Sequence, residues 1–285
     1  MNAIFSTRFV KDSRTRALIL PGAILMMILL VATLAPIIPL SDPTKMNVAQ
    51  RFSSPTATYW LGTDEFGRDI LSRLIWGARA TLAVALSSSI IACVAGVSLA
   101  LIGGYLGELA ETVTVRLTDI ILSFPTILLA LLAVTILGPS LWTLIFVLSI
   151  LNTPGFTRVA YGEVLALRTA EFVEAAQVLG LRTPRILLGT ILPNILAPIL
   201  VQFSLTVASA IVVESGLSFL GLGVVPPTPS WGTMIRGARA ALDFNVLVLV
   251  WPCLALIISI FTLNWLCDGL RDALDIRSRK TGDAE

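Results

Sequence analysis

The sequence predicts an all-α integral membrane protein with six transmembrane helices. Of the 285 residues, 56% are hydrophobic and 13% are charged. Soluble domains carry about 25% charged residues, so this chain lacks the polar surface that an aqueous exterior needs. The charges that remain are separated by long uncharged stretches, and about 20 such residues suffice for one membrane-spanning helix.

The composition also excludes several functional classes. Three cysteines are too few, and odd in number, for a secreted disulfide scaffold. A formal net charge of +2 provides no basic surface for nucleic acid. The sequence contains no histidine, so catalysis or metal binding through imidazole is absent. We therefore predict neither catalytic residues nor a metal site, and we expect the cysteines to be small core residues.

Five uncharged runs determine the number of spans. They cover residues 17–40, 80–107, 120–157, 186–213 and 244–267. The third run would be about 57 Å long as a single helix, whereas the hydrocarbon core is about 30 Å thick. Because Gly138-Pro139-Ser140 in its middle is a turn signal, we interpret this run as two spans joined by a short loop. The first run exceeds the roughly 7–15 apolar residues of a signal peptide, so we expect a retained anchor.

The distribution of lysine and arginine predicts the orientation. Most of these 20 residues lie in the two tails and in the loops after the second and fourth spans, which share one side if six spans alternate. Positively charged loops face the cytoplasm. Both termini are therefore expected to be cytoplasmic.

The predicted spans divide the chain into three parts. Residues 1–79 comprise a cytoplasmic tail, the first transmembrane helix and an external segment. Residues 80–270 form a core of five helices, which includes a cytoplasmic loop at about 158–193. Residues 271–285 form a cytoplasmic tail.

Two segments on the external side, 41–79 and 221–243, are rich in proline and turn-forming residues. Proline-rich runs are stiff and extended. Both segments are either interfacial connectors with tryptophans in the aromatic belt, or the surface on which an external partner docks. The candidate partner contacts are Asp64, Arg68, Asp69 and Trp231.

The cytoplasmic loop has the signals of two short helices separated by a glycine. Residues 171–179 are strong helix formers, and Gly180 follows as a C-terminal cap. Pro184 then occupies the favoured first position of a second helix. We call this helix–glycine–helix segment, residues 171–186, the elbow.

Two interpretations of the elbow are open on physical grounds. The alanines at 175 and 176 have little side-chain bulk, so another protein's backbone can approach closely. Alternatively, the first elbow helix is amphipathic and lies on the inner membrane face.

Ionisable and polar residues within spans are candidates for function. Glu214 ends the fourth uncharged run, and it either caps or pairs at the interface or lines a translocation path. Asn264 either lines the path or forms an interhelical hydrogen bond. Asp119 lies three residues after Arg116, a spacing that favours an ion pair between these two residues.

The elbow also carries a motif. Glu174-Ala175-Ala176, then Gly180 and Leu192-Pro193, resemble the EAA loop of ABC importer membrane subunits, although Thr190 stands where the motif usually has isoleucine. Further segments continue the resemblance: LGTD (61–64), GRD (67–69), ESGLSFLGLG (214–223), PTPSWG (227–232) and DGLRDALD (268–275). Together they are similar to the C-type permease subunit of dipeptide and oligopeptide importers, a family that includes nickel and glutathione systems.

The resemblance implies a type I ABC importer permease fold in the plasma (inner) membrane of a prokaryote. It implies a heterodimer with a second, homologous permease subunit, two cytoplasmic ATPase subunits, and an extracytoplasmic substrate-binding protein. ATP and magnesium would bind the ATPase subunits, and this subunit would need no cofactor. The chain itself contains no phosphate-binding Gly-x-x-x-x-Gly-Lys-Ser/Thr loop, which agrees with a non-catalytic role.

The resemblance also assigns residues. The contacts that couple the subunit to an ATPase would be Glu174, Ala175, Ala176, Gly180 and Leu181, whereas Glu214 and Asn264 are candidates for the path. Peptides are the expected cargo, with nickel or glutathione as alternatives. A secondary transporter driven by ions is a further alternative, but such proteins usually contain internal repeats, and we find none that is convincing.

Overall fold

The computed structural model describes residues 2–274, with side chains from residue 18 to residue 273. Within this range the chain folds into ten α-helices and forms no strand. They are α1 (Asn2–Leu34), α2 (Ile70–Tyr105), α3 (Glu108–Leu122), α4 (Thr126–Leu137), α5 (Leu141–Leu167), α6 (Glu171–Val178), α7 (Thr183–Ile186), α8 (Leu192–Leu220), α9 (Trp231–Ala238) and α10 (Leu247–Leu274). The last residues of the predicted C-terminal tail, 275–285, lie outside the described residues.

The helices agree with the predicted membrane architecture. Four helical stretches are long and apolar enough to cross a membrane, namely α2, α5, α10 and the continuous stretch from α7 to α8. The pair α3 and α4 qualifies as a fifth span, bent by 86° at its break. The first predicted span corresponds to α1, whose apolar described part, Leu18–Leu34, is shorter than the other spanning helices.

The third span differs from the prediction. The turn at 138–140 is confirmed, because α4 ends at Leu137 and Ser140 caps α5 by accepting a hydrogen bond from the Thr143 amide. However, no continuous helix extends from 120 to this turn. The helix breaks before Thr126 because Pro125 cannot donate a backbone hydrogen bond and disfavours helical geometry in the residue before it.

The helices alternate in direction, so the connecting segments cluster at two ends of the bundle. We call the end with segments 35–69, 138–140 and 221–246 the loop end, and the end with the elbow the elbow end. Helix α2 runs between the two ends and packs against α1, α3, α5 and α8.

Small residues allow the central helices to approach closely. A side chain on Gly96 of α2 would lie 2.7 Å from both the Phe156 side chain and the Thr153 carbonyl of α5. Such contacts drive helix association in a membrane, where the hydrophobic effect between helices is weak. The closely packed α2–α5 pair therefore connects the two ends of the bundle.

Candidate functional site

The elbow folds as the sequence predicts. Helix α6 ends at Val178, and Gly180 has a left-handed backbone with φ of +74°. The Leu181 amide then donates a hydrogen bond to the Ala176 carbonyl, which closes the helix end, and α7 begins at Thr183. No other atom lies near the position of a side chain on Gly180, so its backbone conformation alone requires glycine.

The inner face of α6 is packed into the bundle. Val173 is fully buried and Ala176 is 6% exposed, and both belong to a core cluster with Leu101, Ile186 and Ile191. Residues three apart share one face of a helix, which explains why these two point inward together. The Ala176 side chain therefore faces the core of this subunit, and the role of Ala176 as an ATPase contact stays a prediction.

The outer face of α6 exposes large apolar side chains instead. Val178 is 88% exposed, Leu179 is 79% exposed, and Phe172 is 45% exposed. Glu174 and Ala175 are exposed beside them. Of the other two predicted coupling residues, Gly180 is exposed and Leu181 is half-buried. The sequence predicts Leu179 on an apolar face of this helix but gives no coupling role to Val178 or Leu179, although two adjacent apolar residues before a capping glycine are a signal of an exposed contact.

The elbow is also tied to α2 by polar contacts. The Gln177 side-chain amide donates a hydrogen bond to the Tyr105 hydroxyl over 3.0 Å. The Arg168 guanidinium lies 3.4 Å from the carbonyl oxygen of Gly104. At the same end, Asp119 pairs with Arg158 over 2.9 Å, so the expected pair with Arg116 is wrong, and α3 is joined to α5 instead.

At the loop end, the predicted partner contacts are buried. Asp64 accepts hydrogen bonds from Arg68 Nε over 2.7 Å and forms an ion pair with Arg73 Nε over 3.2 Å. Asp69 caps α2 by accepting from the Leu71 amide, and Trp231 is buried as well. The side chains of these residues are therefore held within the fold, where buried charges are paired, and their role as contacts for an external partner stays a prediction.

Trp231 is the first residue of α9 and fixes this short helix against α2. Its indole nitrogen donates a hydrogen bond to the Leu74 carbonyl over 3.0 Å. Ser230 and Thr233 form a reciprocal capping box at the start of α9. A side chain on Gly232 would collide with the Ser215 carbonyl, so α9 also packs directly on α8.

Glu214 lies at the junction of these elements and is fully buried. It accepts hydrogen bonds from Ser218 Oγ over 2.7 Å and from Ser215 Oγ over 3.3 Å. The hydroxyls of Thr81 and Ser230 also face its carboxyl group. Helix α8 continues past it to Leu220, so Glu214 is not a cap at a helix end. Asn264, on α10, is exposed on the surface of this subunit.

A cavity of about 1020 Å³ opens at the loop end. One wall comes from residues 64–73 and the other from residues 218–240. Charged lining residues are Asp64, Glu65, Arg68, Arg73, Arg236 and Arg239. Burial, together with the neighbouring charge of Asp64, raises the pKa of the Glu65 carboxyl above its ordinary value.

The described residues contain no group of three cysteine, aspartate or glutamate side chains able to hold a metal ion. The polar groups of the elbow and of the loop end instead form hydrogen bonds and ion pairs. These arrangements position the helices at both ends of the bundle.

Comparison with known proteins identifies the family. Residues 92–280 match the family described as binding-protein-dependent transport system inner membrane component. The dipeptide transport system permease protein DppC of Alkalihalophilus pseudofirmus is 40% identical over 247 residues, which cover 87% of this chain and 81% of that protein. The di/tripeptide transport system permease protein DppC of Pseudomonas aeruginosa is 39% identical, with coverage of 89% and 86%.

A further relative and a solved structure support the same family and fold. The glutathione transport system permease protein GsiD of Pectobacterium atrosepticum is 37% identical and covers 78% of this chain and 73% of that protein. An inward-facing structure of the MetNI methionine ABC transporter superposes with a TM-score of 0.58 at 19% identity, covering 70% of this chain and 94% of that chain, which shows the shared fold. The chain belongs to the family of binding-protein-dependent transport system inner membrane components, the multi-pass permease subunits of ABC importers.

Proposed function

We propose that this chain is the non-catalytic translocation subunit of an ATP-driven importer of small peptides. It pairs with a second, homologous permease subunit to form the path. Two ATPase subunits bind ATP and magnesium and dock at the elbow end, and a substrate-binding protein delivers cargo to the loop end. In this arrangement both termini are cytoplasmic, in agreement with the distribution of lysine and arginine.

The cargo assignment is supported by the names of the relatives. Several of the similar proteins are named as dipeptide, di/tripeptide or oligopeptide permeases. Glutathione is itself a tripeptide, so the relative named for glutathione falls within the same chemical class. Nickel is less well supported, since the chain contains no histidine to favour a transition metal along its path.

The proposed coupling mechanism rests on the exposed apolar face of α6. Exposed large apolar side chains are typical of sites of protein contact, and Phe172, Val178 and Leu179 are such side chains outside the membrane-spanning helices. Because Val173 on the opposite face is packed into the bundle, a displacement of α6 by an ATPase subunit would move the helices to which it is fixed. ATP hydrolysis is thereby coupled to alternating access.

The test is the double variant Val178→Asp/Leu179→Asp. We expect normal abundance in the membrane, because neither side chain is buried, but loss of both ATPase co-purification and peptide uptake. Val48→Asp is the matched control, since Val48 is 71% exposed at the opposite end of the bundle and should leave ATPase binding intact.

Two results would contradict the proposal. Retained ATPase binding in the double variant would show that α6 is only a surface helix. Retained uptake after loss of the ATPases would favour the alternative of a carrier driven by ions.

A further inference from the structure

The loop-end cavity joins two segments that are distant in the sequence. Residues 64–73 follow the first span, whereas residues 218–240 follow the long helix α8, yet both line the same space. The volume of about 1020 Å³ is at the upper end of typical small-molecule sites, which measure about 300–1,000 Å³. The cavity is therefore large enough for a small peptide.

One wall of the cavity carries a carboxylate, Glu65, that has an ion-pair partner on only one of its oxygens. Asp64 is saturated, because its two oxygens accept from Arg68, from Arg73 and from backbone amides. Glu65 has a single ion pair, in which Arg68 Nη2 lies 3.2 Å from its Oε1. The second oxygen, Oε2, forms no ion pair in the described part of the chain and can accept a hydrogen bond from a cationic group of a ligand, and the carboxylate lies against Gly237 of α9.

The other wall carries two arginines without acidic partners in the described part of the chain. Arg236 and Arg239 are exposed, and neither forms an ion pair there. The Arg236 guanidinium rests on Gly221, where a side chain would collide with it, and the Arg239 guanidinium lies 5.7 Å from the centroid of the Phe219 ring. Because residues three apart are neighbours on a helix, the two like charges face the same wall and favour an anion between them.

Apolar side chains line the cavity between the charged groups. They include Phe66, Val224, Pro226 and Met234. A ligand that satisfies the whole lining must have an ammonium group, a carboxylate and an apolar body, as a small peptide does. A metal ion has neither the carboxylate nor the body.

We propose that this cavity is a transit site that holds a small peptide by its two charged ends. Arg236 and Arg239 bind the terminal carboxylate, and Glu65 accepts from the terminal ammonium group. This inference rests on the proposed function, since it assigns a place in the subunit where imported peptides bind.

The experiment measures protection of a cysteine in the cavity. Thr228→Cys, in a chain whose three native cysteines are replaced by alanine, places an exposed thiol on the lining. The full complex in nanodiscs is labelled with a thiol reagent in the presence of dialanine. At a peptide concentration about ten times Kd, mass action predicts about tenfold slower labelling.

Variants of the protein and analogues of dialanine then show which residues bind each charged end of the peptide. Arg236→Gln/Arg239→Gln should weaken protection by about tenfold or more, because a hydrogen-bonded charge pair is lost. Dialanine amide lacks the terminal carboxylate and should protect the thiol poorly in the wild-type chain. N-acetyl-dialanine lacks the terminal ammonium group and should also protect poorly there. In the Glu65→Gln variant, however, N-acetyl-dialanine should protect as well as dialanine. Arg51→Gln is the matched control, an exposed arginine at the loop end that does not line the cavity.

Each alternative result overturns the inference. The site is contradicted by labelling that dialanine leaves unchanged at every concentration, and equally by protection from the amide that matches protection from the free acid. If anionic lipid protects the thiol and dialanine does not, the arginines bind headgroups. Peptide uptake by the same complex is measured in parallel: uptake without protection overturns only the cavity site, whereas absence of uptake overturns the proposed function.

Discussion

The side-chain amide of Gln177 donates a hydrogen bond to the hydroxyl of Tyr105 over 3.0 Å, which joins the elbow to the final residue of α2. Helix α2 extends for 36 residues from there to Ile70 at the loop end, a length of about 54 Å at 1.5 Å per residue. A displacement of the elbow can therefore be transmitted through α2 to the loop end.

Tyr105→Phe tests this connection by removing only the hydroxyl. A neutral hydrogen bond stabilises by about 1 kcal/mol, so we expect at most about fivefold loss of uptake. ATPase co-purification should be unchanged, because the outer face of α6 is untouched. The measurement is the number of peptides imported per ATP hydrolysed in proteoliposomes. An unchanged ratio would show that the contact with Gln177 does not contribute to coupling.

The adjacent alanines of α6 should respond differently to the same substitution. Ala176→Asp introduces an unpaired charge into the elbow core, a change that costs about 3–5 kcal/mol. We therefore expect low abundance and a lower unfolding temperature. Ala175→Asp changes an exposed position, so the subunit should accumulate normally and lose ATPase binding. Both quantities are measured in membranes by quantitative blotting and pull-down, and equal abundance of the two variants would contradict the observed orientation of α6.

The elbow could be predicted from the sequence because its signals are local. Helix formers before Gly180, and Pro184 after it, act within a few residues and do not depend on the rest of the fold. The same is true of the turn at 138–140. The break before Thr126 has a local cause as well, Pro125, whereas the predicted span rests on the length of the uncharged run and on the turn at 138–140.

The inward orientation of Ala176 and the burial of Asp64 could not be predicted in the same way. Apolar residues lie on both sides of the elbow helix, with Val173 and Ala176 packed inward and Phe172, Val178 and Leu179 exposed, so periodicity does not show which side is buried. Burial of Asp64 depends on Arg68 and Arg73, and their pairing arises only when the 41–69 segment folds onto the start of α2. Long-range packing decides these features.

Glu214 should tolerate a neutral isostere. Glu214→Gln keeps one acceptor oxygen, and the hydroxyls of Ser218 and Ser215 can rotate to meet the new amide donors. We expect normal abundance and uptake within about threefold of wild type. Glu214→Leu leaves buried hydroxyls unsatisfied, at about 1–3 kcal/mol each, and should reduce abundance. Loss of uptake in Glu214→Gln, with assembly and ATPase activity intact, would instead place this residue on the translocation path.

Glu65 links the stability of the loop end to pH. Its folded-state pKa is raised by burial first and by Asp64 second, so its contribution to stability is fully present below the unfolded-state pKa, about 4.3, and is lost as the pH rises through the folded-state value. Glu65→Gln removes this titration. We expect the unfolding temperature of the wild-type complex to fall relative to that of Glu65→Gln as the pH rises through the weakly acidic range. Asp243→Asn, at an exposed position of the loop end, is the control that should show no such divergence. Parallel curves for the wild type and Glu65→Gln would mean that Arg68 compensates the carboxylate fully, and Glu65 would then have no excess charge with which to bind a peptide ammonium group.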